Sequence, residues 1–470
     1  YEILVKNYFS LISSGTESST VSAARKNLIS KAKERPQQVK QVLNSLQNQG
    51  LIKTMRAVNK KLDSYSPLGY SSSGEVIKIG SEVKTFKVGD YVACSGVGYA
   101  NHSEYVSVPE NLSVKIKSFE NLKNASYNTL GAISMQSVRQ ASLNIGESCL
   151  IIGLGLLGQI TAQILMASGV RVIGVDINED VVNKCINSGI IDFGLIGNTK
   201  SEERKILEYT DGFGCDAVII AAASSSKKII NFAGASCRKK GKVVLLGDVP
   251  VGFSRNPHWY KKELELKMSC SYGPGRYDIN YEERSIDYPY AYVRWSQKRN
   301  MQAFQELIDK NKISLDILTT HEFKFKDSVK AYDLLLSTEY SCGIILKYDT
   351  SKKYSSRKII VRKTVESNKS LNISFIGAGS YAQSNLLPYL SNKDISKVGV
   401  LTSNGTTSKR VSEKFNFNFC TSEFSDICNS NTNTLFIATR HDTHAHYVCK
   451  ALKENMNVFV EKPLCIKEEE

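Results

Sequence analysis

Gly153, Gly155 and Gly158, in IIGLGLLGQ, stand directly after an apolar run and open a helical one. A first glycine permits a tight turn, a second lets the main chain approach a pyrophosphate, and a third packs helix against strand. The helix that follows aims free N–H groups and a partial positive charge at the same anion. Asp176 closes the next β-like run, VIGVD. A carboxylate there can accept hydrogen bonds from ribose hydroxyls and repel a 2′-phosphate, so this first site is expected to take NAD(H) rather than NADP(H). The bland alternative is that the glycines only pack a strand on a helix. A second set, Gly377, Gly379 and Ala382 in FIGAGSYA, repeats the arrangement, alanine being tolerated where only close packing is required. Its second strand ends in Leu401, Thr402, Ser403 and Asn404, without a carboxylate. With Ser403 at its ribose end, the second site is expected to take NAD(H) or NADP(H).

These loops need strands that end at one edge of a sheet and helices that start there. Between Glu147 and Tyr272 the chain supplies both: SCLIIGLG, VRVIGVDI, CDAVIIAA and GKVVLLGDV alternate with helical stretches, the pattern of βαβ units and a parallel sheet. Past residue 370 the alternation restarts with LNISFIGAG, ISKVGVL, TLFIAT and MNVFVEKPL. Two nucleotide-binding folds in tandem explain this repeat better than one large sheet. The first 130 residues are instead strand-like and broken by glycines, as in LGYSSSGEVIKIGSEV and FKVGDYVACSG, which favours a mainly β domain. The predicted fold class is α/β: two Rossmann-type doubly wound parallel-sheet domains plus one mainly β domain.

A chain of 470 residues suggests about three domains. Hydrophobic residues at 41% and charged residues at 23% exclude collagen-like, coiled-coil and wholly disordered chains. The net charge of +15 favours anionic partners without choosing among them. Val21 to Leu62 reads as helix and holds ten Lys or Arg against one acid, Glu34. It is either a patch for an anionic surface or a solvated helical insertion. It lacks interleaved aromatics, so no nucleic-acid partner is expected. Eleven cysteines, none in a CxxC pair, exclude zinc-ribbon and thioredoxin-like readings. They suggest buried free thiols in a reducing, cytoplasmic setting. Ser148 to Val170 is uncharged and long enough to cross a bilayer, but its glycines, glutamines and strand-into-helix pattern read as the nucleotide unit, so no transmembrane span is expected.

The run TRHDTHAHYVCKALKENMNVFVEKPL, residues 439–464, resembles the nucleotide-binding domain of Gfo/Idh/MocA oxidoreductases. In that family a His follows the fourth strand, and a helix then leads to a strand ending in Glu-Lys-Pro. The resemblance covers 371–470. It implies that His444 and Glu461 lie beside the cofactor and that Lys462 lies near nicotinamide and substrate. An ammonium there can stabilise negative charge on a carbinol or carbonyl oxygen during hydride transfer and can donate a proton. The chain ends where that family's substrate-binding β-sheet domain would begin, so the second site is expected to be incomplete.

The first 349 residues resemble medium-chain dehydrogenase/reductases through SSGTE, PLGYSSSGEVIKIGSEV, FKVGDYVA, the glycine loop and the closing KISLDILTTHEFKFKDSVKAYDLL. This implies a GroES-like β domain over 1–130 with the basic helical insertion at 21–62, a first Rossmann domain over 131–296 and a return segment over 297–349. A linker over 350–370 and the second Rossmann domain over 371–470 follow. The start at Tyr1 lacks the usual first strand, which suggests an internal fragment. Zinc-dependent members of the superfamily have Cys-Gly-Thr/Ser-Asp and Gly-His-Glu where this chain has Ser14-Gly15-Thr16-Glu17 and Gly69-Tyr70-Ser71. A serine hydroxyl and a tyrosine phenol do not replace a thiolate and an imidazole on zinc, so neither zinc nor any other metal is expected. Tyr70 and Thr16 become the catalytic candidates, or else two satisfied hydroxyls in a cavity that has lost its chemistry. Gly247 is expected to pass beside nicotinamide. The aromatic loop with Arg276, Tyr277, Tyr288, Tyr292, Arg294 and Trp295 could grip a phosphorylated sugar or form a packed dimer edge.

The order of the two modules resembles bi-domain oxidoreductases associated with bacterial surface-polysaccharide synthesis. This implies a zinc-independent NAD(P)-dependent oxidoreductase acting on a sugar or nucleotide-sugar, with homo-oligomerisation left open. The alternative is a non-catalytic nucleotide-binding scaffold that docks on an anionic partner through the basic insertion.

Overall fold

The computed structural model describes residues 1–25, 44, 50, 67–352, 358–362, 371–390, 394–403 and 405–469. The described residues fall into two compact units, one running to Ser351 and one from Lys352 onward. The expected helix over 21–62 lies outside the described residues beyond the helix Ser14–Arg25. The Arg25 guanidinium of that helix pairs with Asp333 at 3.0 Å, both exposed.

The first unit opens with β1 (Glu2–Ile12), β2 (Ser71–Ile79), β3 (Tyr91–Ser95), β4 (Tyr105–Pro109) and β5 (Ser113–Lys115). A second sheet follows: β6 (Ser148–Ile152), β7 (Arg171–Asp176), β8 (Phe193–Ile196), β9 (Cys215–Ile220), β10 (Cys237–Leu245) and β11 (Glu265–Met268). The chain then returns, and β12 (Thr319–Lys324) and β13 (Gly343–Lys347) complete the first sheet in the order β12-β13-β1-β2-β3-β5, with β4 also on β1. The junction is antiparallel, Phe9 facing Lys347 and Ile12 facing Ile344.

The second sheet is parallel, in the order β8-β7-β6-β9-β10-β11. The direction in which successive strands are added reverses between β6 and β9, the crevice where a doubly wound sheet receives its ligand. The period-two rule for strands explains why β6 is apolar after Ser148. Cys149 and Ile151 enter the core on one face, Leu150 and Ile152 the core on the other, and all four are buried. Truncating Ile151 to alanine in such a two-sided core costs about 2–5 kcal/mol. The flanking helices are capped by sequence-local means. Asn178 accepts from the N–H groups of Asp180 and Val181 at 3.0 and 3.3 Å, and Thr199 with Glu202 forms a reciprocal capping box.

The helix Asn128–Ala141 runs through the expected domain boundary at residue 130. Gly131 lies under the Phe304 ring, where an added Cβ would meet ring carbons at 2.1 Å. The helix Gln297–Asp309 therefore packs closely on Asn128–Ala141 at this point.

The second unit contains β14 (Ile359–Ile360), β15 (Leu371–Ile376), β16 (Ile395–Leu401), β17 (Phe419–Thr421), β18 (Thr434–Ile437) and β19 (Asn457–Val460), in the order β14-β17-β16-β15-β18-β19. All neighbours are parallel except β14, which runs antiparallel to β17. The segment expected as linker thus supplies an edge strand. After Gly379 the expected helix is replaced by two short turns, Ala382–Leu386 with π geometry and Leu387–Tyr389 with 3-10 geometry. Pro388 has no N–H to continue a regular ladder.

Candidate functional site

A cleft of about 1000 Å³ opens within the first unit at the C-terminal ends of β6, β7, β9 and β10. Gly153, Gly155, Asp176 and Gly247 line it, and the turn Ser13–Thr16 faces them from the first sheet. Each glycine has its own reason. Gly153 has φ +96, and an added Cβ would sit 2.8 Å from the Ala222 amide nitrogen. At Gly158 a Cβ would come within 1.9 Å of the Gly153 carbonyl oxygen, and at Gly247 within 2.1 Å of the Ala222 oxygen. Gly155 faces open space, with nothing within 4 Å of such a Cβ, and directly precedes the helix Leu156–Ala167. Main chain stripped of side chains beside a helix start is the cradle a dinucleotide pyrophosphate needs.

Asp176 is half-buried and already at work. One carboxylate oxygen accepts from the Leu154 N–H at 2.7 Å, the other from the Asn178 N–H at 3.0 Å. It therefore ties the glycine loop to the end of β7 and keeps lone pairs for a diol, since an ionised carboxylate offers about four acceptor positions. A residue the motif reading missed is Gln159, fully buried, whose Nε2 donates to the Leu154 carbonyl at 2.7 Å. The second unit repeats this: Gln383 Nε2 donates to the Ala378 carbonyl at 2.7 Å. The signal was present in the aligned tails GLGLLGQ and GAGSYAQ, where glutamine is the seventh residue of both.

Thr16 lines the cleft. Tyr70 does not; its phenol lies against the hydroxyls of Ser13 and Thr16 at the cleft wall. Burial pushes the Tyr70 phenol up, and the nearby Glu17 charge adds to this, against a smaller opposing effect of the Ser13 and Thr16 hydroxyls. It stays protonated at neutral pH and can act there as a hydrogen-bond donor. Behind this wall is a buried polar network that sequence reasoning missed. Glu17 accepts from the Ser13 N–H at 2.9 Å, meets His102 Nε2 at 3.1 Å and accepts from the Tyr332 hydroxyl. His102 Nδ1 in turn meets Ser10 Oγ at 2.7 Å, and Ser10 meets the Tyr348 hydroxyl at 2.8 Å. Burial pushes the Glu17 carboxyl up, but the hydrogen bond and charge of His102, the Tyr332 hydroxyl and the Ser13 N–H outweigh it and leave the group below its ordinary value. The network fixes the Ser13–Thr16 turn. No local pattern marks it, because Glu17 and His102 are 85 residues apart.

The donors beside the cleft at Ser13, Ser14, Thr16 and Tyr70 are all hydroxyls, a poor fit for zinc, which is bound by thiolate, imidazole or carboxylate. Among the described residues, no group of three or more His, Cys, Asp or Glu side chains is placed to hold a metal. The cysteines are free thiols. Seven are buried, whereas Cys270 and Cys449 are exposed, contrary to the expectation that all are buried. Burial pushes the Cys94 thiol up to about 12.

In the second unit Gly377, Ser403, His444, Glu461 and Lys462 stand at the C-terminal ends of adjacent strands β15, β16, β18 and β19 or in the segments that follow them. Gly377 has φ +81, and an added Cβ would lie 2.6 Å from the Ala438 carbonyl. Its N–H donates to the Leu401 carbonyl at 2.9 Å, as Gly153 donates to Val175 at 2.8 Å. Gly379 faces open space and Ala382 is buried. Ser403 and Lys462 are exposed, Glu461 half-buried. His444 is enclosed by main chain. It is 1% exposed, its Nδ1 2.7 Å from the Pro463 carbonyl and its Nε2 3.3 Å from the Thr439 carbonyl. Both ring nitrogens face main-chain carbonyls; a neutral imidazole has one N–H, and the shorter contact, to Pro463, ties the loop after β18 to the Glu-Lys-Pro loop.

Three family models match separate stretches: the alcohol dehydrogenase GroES-like domain over 45–118, the zinc-binding dehydrogenase over 157–283, and the oxidoreductase family with NAD-binding Rossmann fold (Gfo/Idh/MocA) over 371–470. The chain is a fused NAD(P)-dependent oxidoreductase. It joins an alcohol-dehydrogenase-like unit of the medium-chain type to a Gfo/Idh/MocA-type domain. Among curated proteins, this fused oxidoreductase is 27% identical over 280 residues to the D-guloside 3-dehydrogenase of Escherichia coli (strain K12), covering 56% of this chain and 72% of that one. It is 26% identical over 249 residues to D-xylulose reductase A of Aspergillus oryzae, covering 45% and 68%. Among solved structures, alcohol dehydrogenase TADH from Thermus sp. ATN1 shares the fold with a TM-score of 0.55 at 14% identity, covering 74% of this chain and 92% of that one. Galactitol-1-phosphate dehydrogenase from Escherichia coli gives 0.54 at 14%, with the same coverage. Among the described residues of the fused oxidoreductase, no helix is long and apolar enough to cross a membrane. The uncharged stretch from Ser148 resolves into β6, the glycine turn and the helix Leu156–Ala167.

Proposed function

We propose that the chain is a zinc-independent oxidoreductase that moves a hydride between NAD(H) and a carbinol or carbonyl carbon of a sugar or nucleotide-sugar, in surface-polysaccharide synthesis. The observation that carries the reading is the cleft itself: a side-chain-free dinucleotide cradle with Asp176 at its ribose end, facing a wall of hydroxyls at Ser13, Thr16 and Tyr70. A bound nicotinamide supplies or accepts the hydride. The chain's own residues do the rest. Asp176 holds the ribose diol and disfavours a 2′-phosphate, Gly247 lets the main chain approach the nicotinamide, and the Thr16 hydroxyl, oriented by Tyr70, donates to the substrate oxygen. In the second unit Lys462, at the exposed end of β19, serves as the charge-stabilising and proton-donating group, with Glu461 and Ser403 at its cofactor edge and NAD(H) or NADP(H) as its cofactor. Relatives whose names concern guloside and xylulose support a polyol-like substrate. Free thiols support a reducing, cytoplasmic location.

The test uses the full-length protein in EDTA-treated buffer, offered NAD⁺ with a panel of nucleotide-sugars and glycosides, and follows absorbance at 340 nm. Reduction of NAD⁺ without added metal is expected. A second reading has its own observation: Ser14 and Tyr70 stand at the zinc-ligand positions, and the Tyr70 phenol is already engaged by the Ser13 and Thr16 hydroxyls. A scaffold would bind dinucleotide and turn over none of the panel.

A further inference from the structure

The loop after β11 and the helix end beside it hold arginines that are treated differently. Arg276 Nη1 donates to both carboxylate oxygens of Glu282, at 2.8 and 2.9 Å. Arg299 pairs with Asp287 at 2.7 Å. Arg139, in the last turn of the helix Asn128–Ala141, and Arg294 have no such carboxylate among the described residues. Both lie instead on Trp295, their guanidinium carbons 3.5 and 3.7 Å from its ring centre. The two cations are therefore no more than about 7 Å apart, close enough to repel appreciably. Burial, and then the charge of Arg294, push the Arg139 guanidinium below its ordinary value. The Arg139 Nε is buried and has no acceptor.

A pair of like charges held together on one ring, without an internal counter-ion, needs a reason beyond packing. Arginine forks recognise phosphate through paired N–H groups, and the indole ring keeps both stems in place. Tyr290 stands 4.7 Å from the Arg294 guanidinium and 5.0 Å from that of Arg299, and is 58% exposed, an accessible ring beside the cluster. The cluster is separate from the dinucleotide cleft. Leu130 lines that cleft, and Arg139 lies nine residues further along the same helix, roughly 13 Å along its axis.

We propose that Arg139 and Arg294, clamped on Trp295, form a second binding site, for inorganic phosphate or a phosphate monoester, distinct from the dinucleotide cleft. It is independent of the hydride-transfer reading, since it uses none of those residues. The chain has two tryptophans, and Trp259 is buried against Phe253. In the Trp259→Phe variant of the whole chain, the remaining indole, Trp295, reports on the site. The titration uses inorganic phosphate, then glucose 1-phosphate, at an ionic strength held constant with NaCl. A saturable change in fluorescence is expected with both. The half-point should rise at least about tenfold in Arg294→Gln, an exposed position, and in Arg139→Lys, which keeps charge but loses the fork. Equal half-points for the two anions assign recognition to the phosphate group, and a tighter half-point for the ester adds the sugar against Tyr290. A response no different from NaCl alone, or a half-point unmoved by Arg294→Gln, overturns the proposal.

Discussion

Asp176 makes two kinds of contact, and its replacement separates them. Its oxygens hold the Leu154 and Asn178 N–H groups at 2.7 and 3.0 Å, and in the functional reading they also receive the ribose diol. Asp176→Asn keeps one acceptor but turns an amide NH2 toward one of the two N–H groups, which costs about 1–3 kcal/mol for a buried donor left unpaired. Because the site is half-buried, the lower half of that range is expected, a drop of a few degrees in Tm. Hydrogen bonds to an ionised acceptor contribute about 1.5–3 kcal/mol, so NADH affinity should fall by roughly 10- to 150-fold. Removing the charge acts in the opposite direction on NADPH. At about 4 Å and an effective dielectric of about 20, one charge pair is worth around 4 kcal/mol, and even a quarter of this raises NADPH affinity about fivefold. The assay is NADH and NADPH fluorescence titration in a background where Gly377→Val closes the second loop, its Cβ falling 2.6 Å from the Ala438 carbonyl. An NADH Kd within twofold of the parent, in a folded Asp176→Asn variant, would refute the ribose role.

Gly158→Ala places a methyl 1.9 Å from the Gly153 carbonyl oxygen; the helix must shift off the strand, at a cost of about 1–3 kcal/mol, and bound NADH per chain should fall by one in native mass spectrometry. Glu17→Gln removes the charge from the buried network and is expected to lose about 3 kcal/mol in urea unfolding at pH 7. The folded Glu17 carboxyl lies below its ordinary value of 4.5, so its contribution is present above that value and is lost as pH falls through the folded one. The gap between parent and variant should therefore narrow on acidification below about 4.5, and a gap independent of pH would count against this reading. Lys462→Ala, at an exposed position, should change stability by less than about 0.5 kcal/mol while abolishing turnover by the second module in the full-length enzyme; unchanged turnover removes Lys462 from the mechanism.

What could be read from the chain depended on how local the cause was. The glycine loops were legible because their spacing after an apolar strand is local, even where the close neighbour, Ala222 for Gly153 and Ala438 for Gly377, comes from a distant strand end, and Asp176 because it ends the adjacent strand. The returning strands β12 and β13 were visible as strand signals and their return to the first domain was implied by the resemblance, but the pairing of β13 with β1, more than 300 residues earlier, and of β12 with β13 depends on tertiary register. The Glu17–His102 network was invisible for the same reason. His444 was placed beside the cofactor by resemblance; that its ring also lies between the Pro463 and Thr439 carbonyls only the folded loops reveal. The irregular turns after Gly379 could have been anticipated from Pro388, which the strand-into-helix reading passed over. Arg139 and Arg294 belong to different parts of the chain, and only Trp295 brings them together.

The central claim, hydride chemistry from a dinucleotide cleft without zinc, is tested most directly by native mass spectrometry of the whole chain titrated with NADH and then NADPH, with metal content read from the same spectra. The account predicts NADH bound at a lower concentration than NADPH at the first site, a second cofactor at higher concentration, and no zinc retained after purification from zinc-supplemented medium. One zinc per chain, or no cofactor on a folded sample at millimolar concentration, would contradict it.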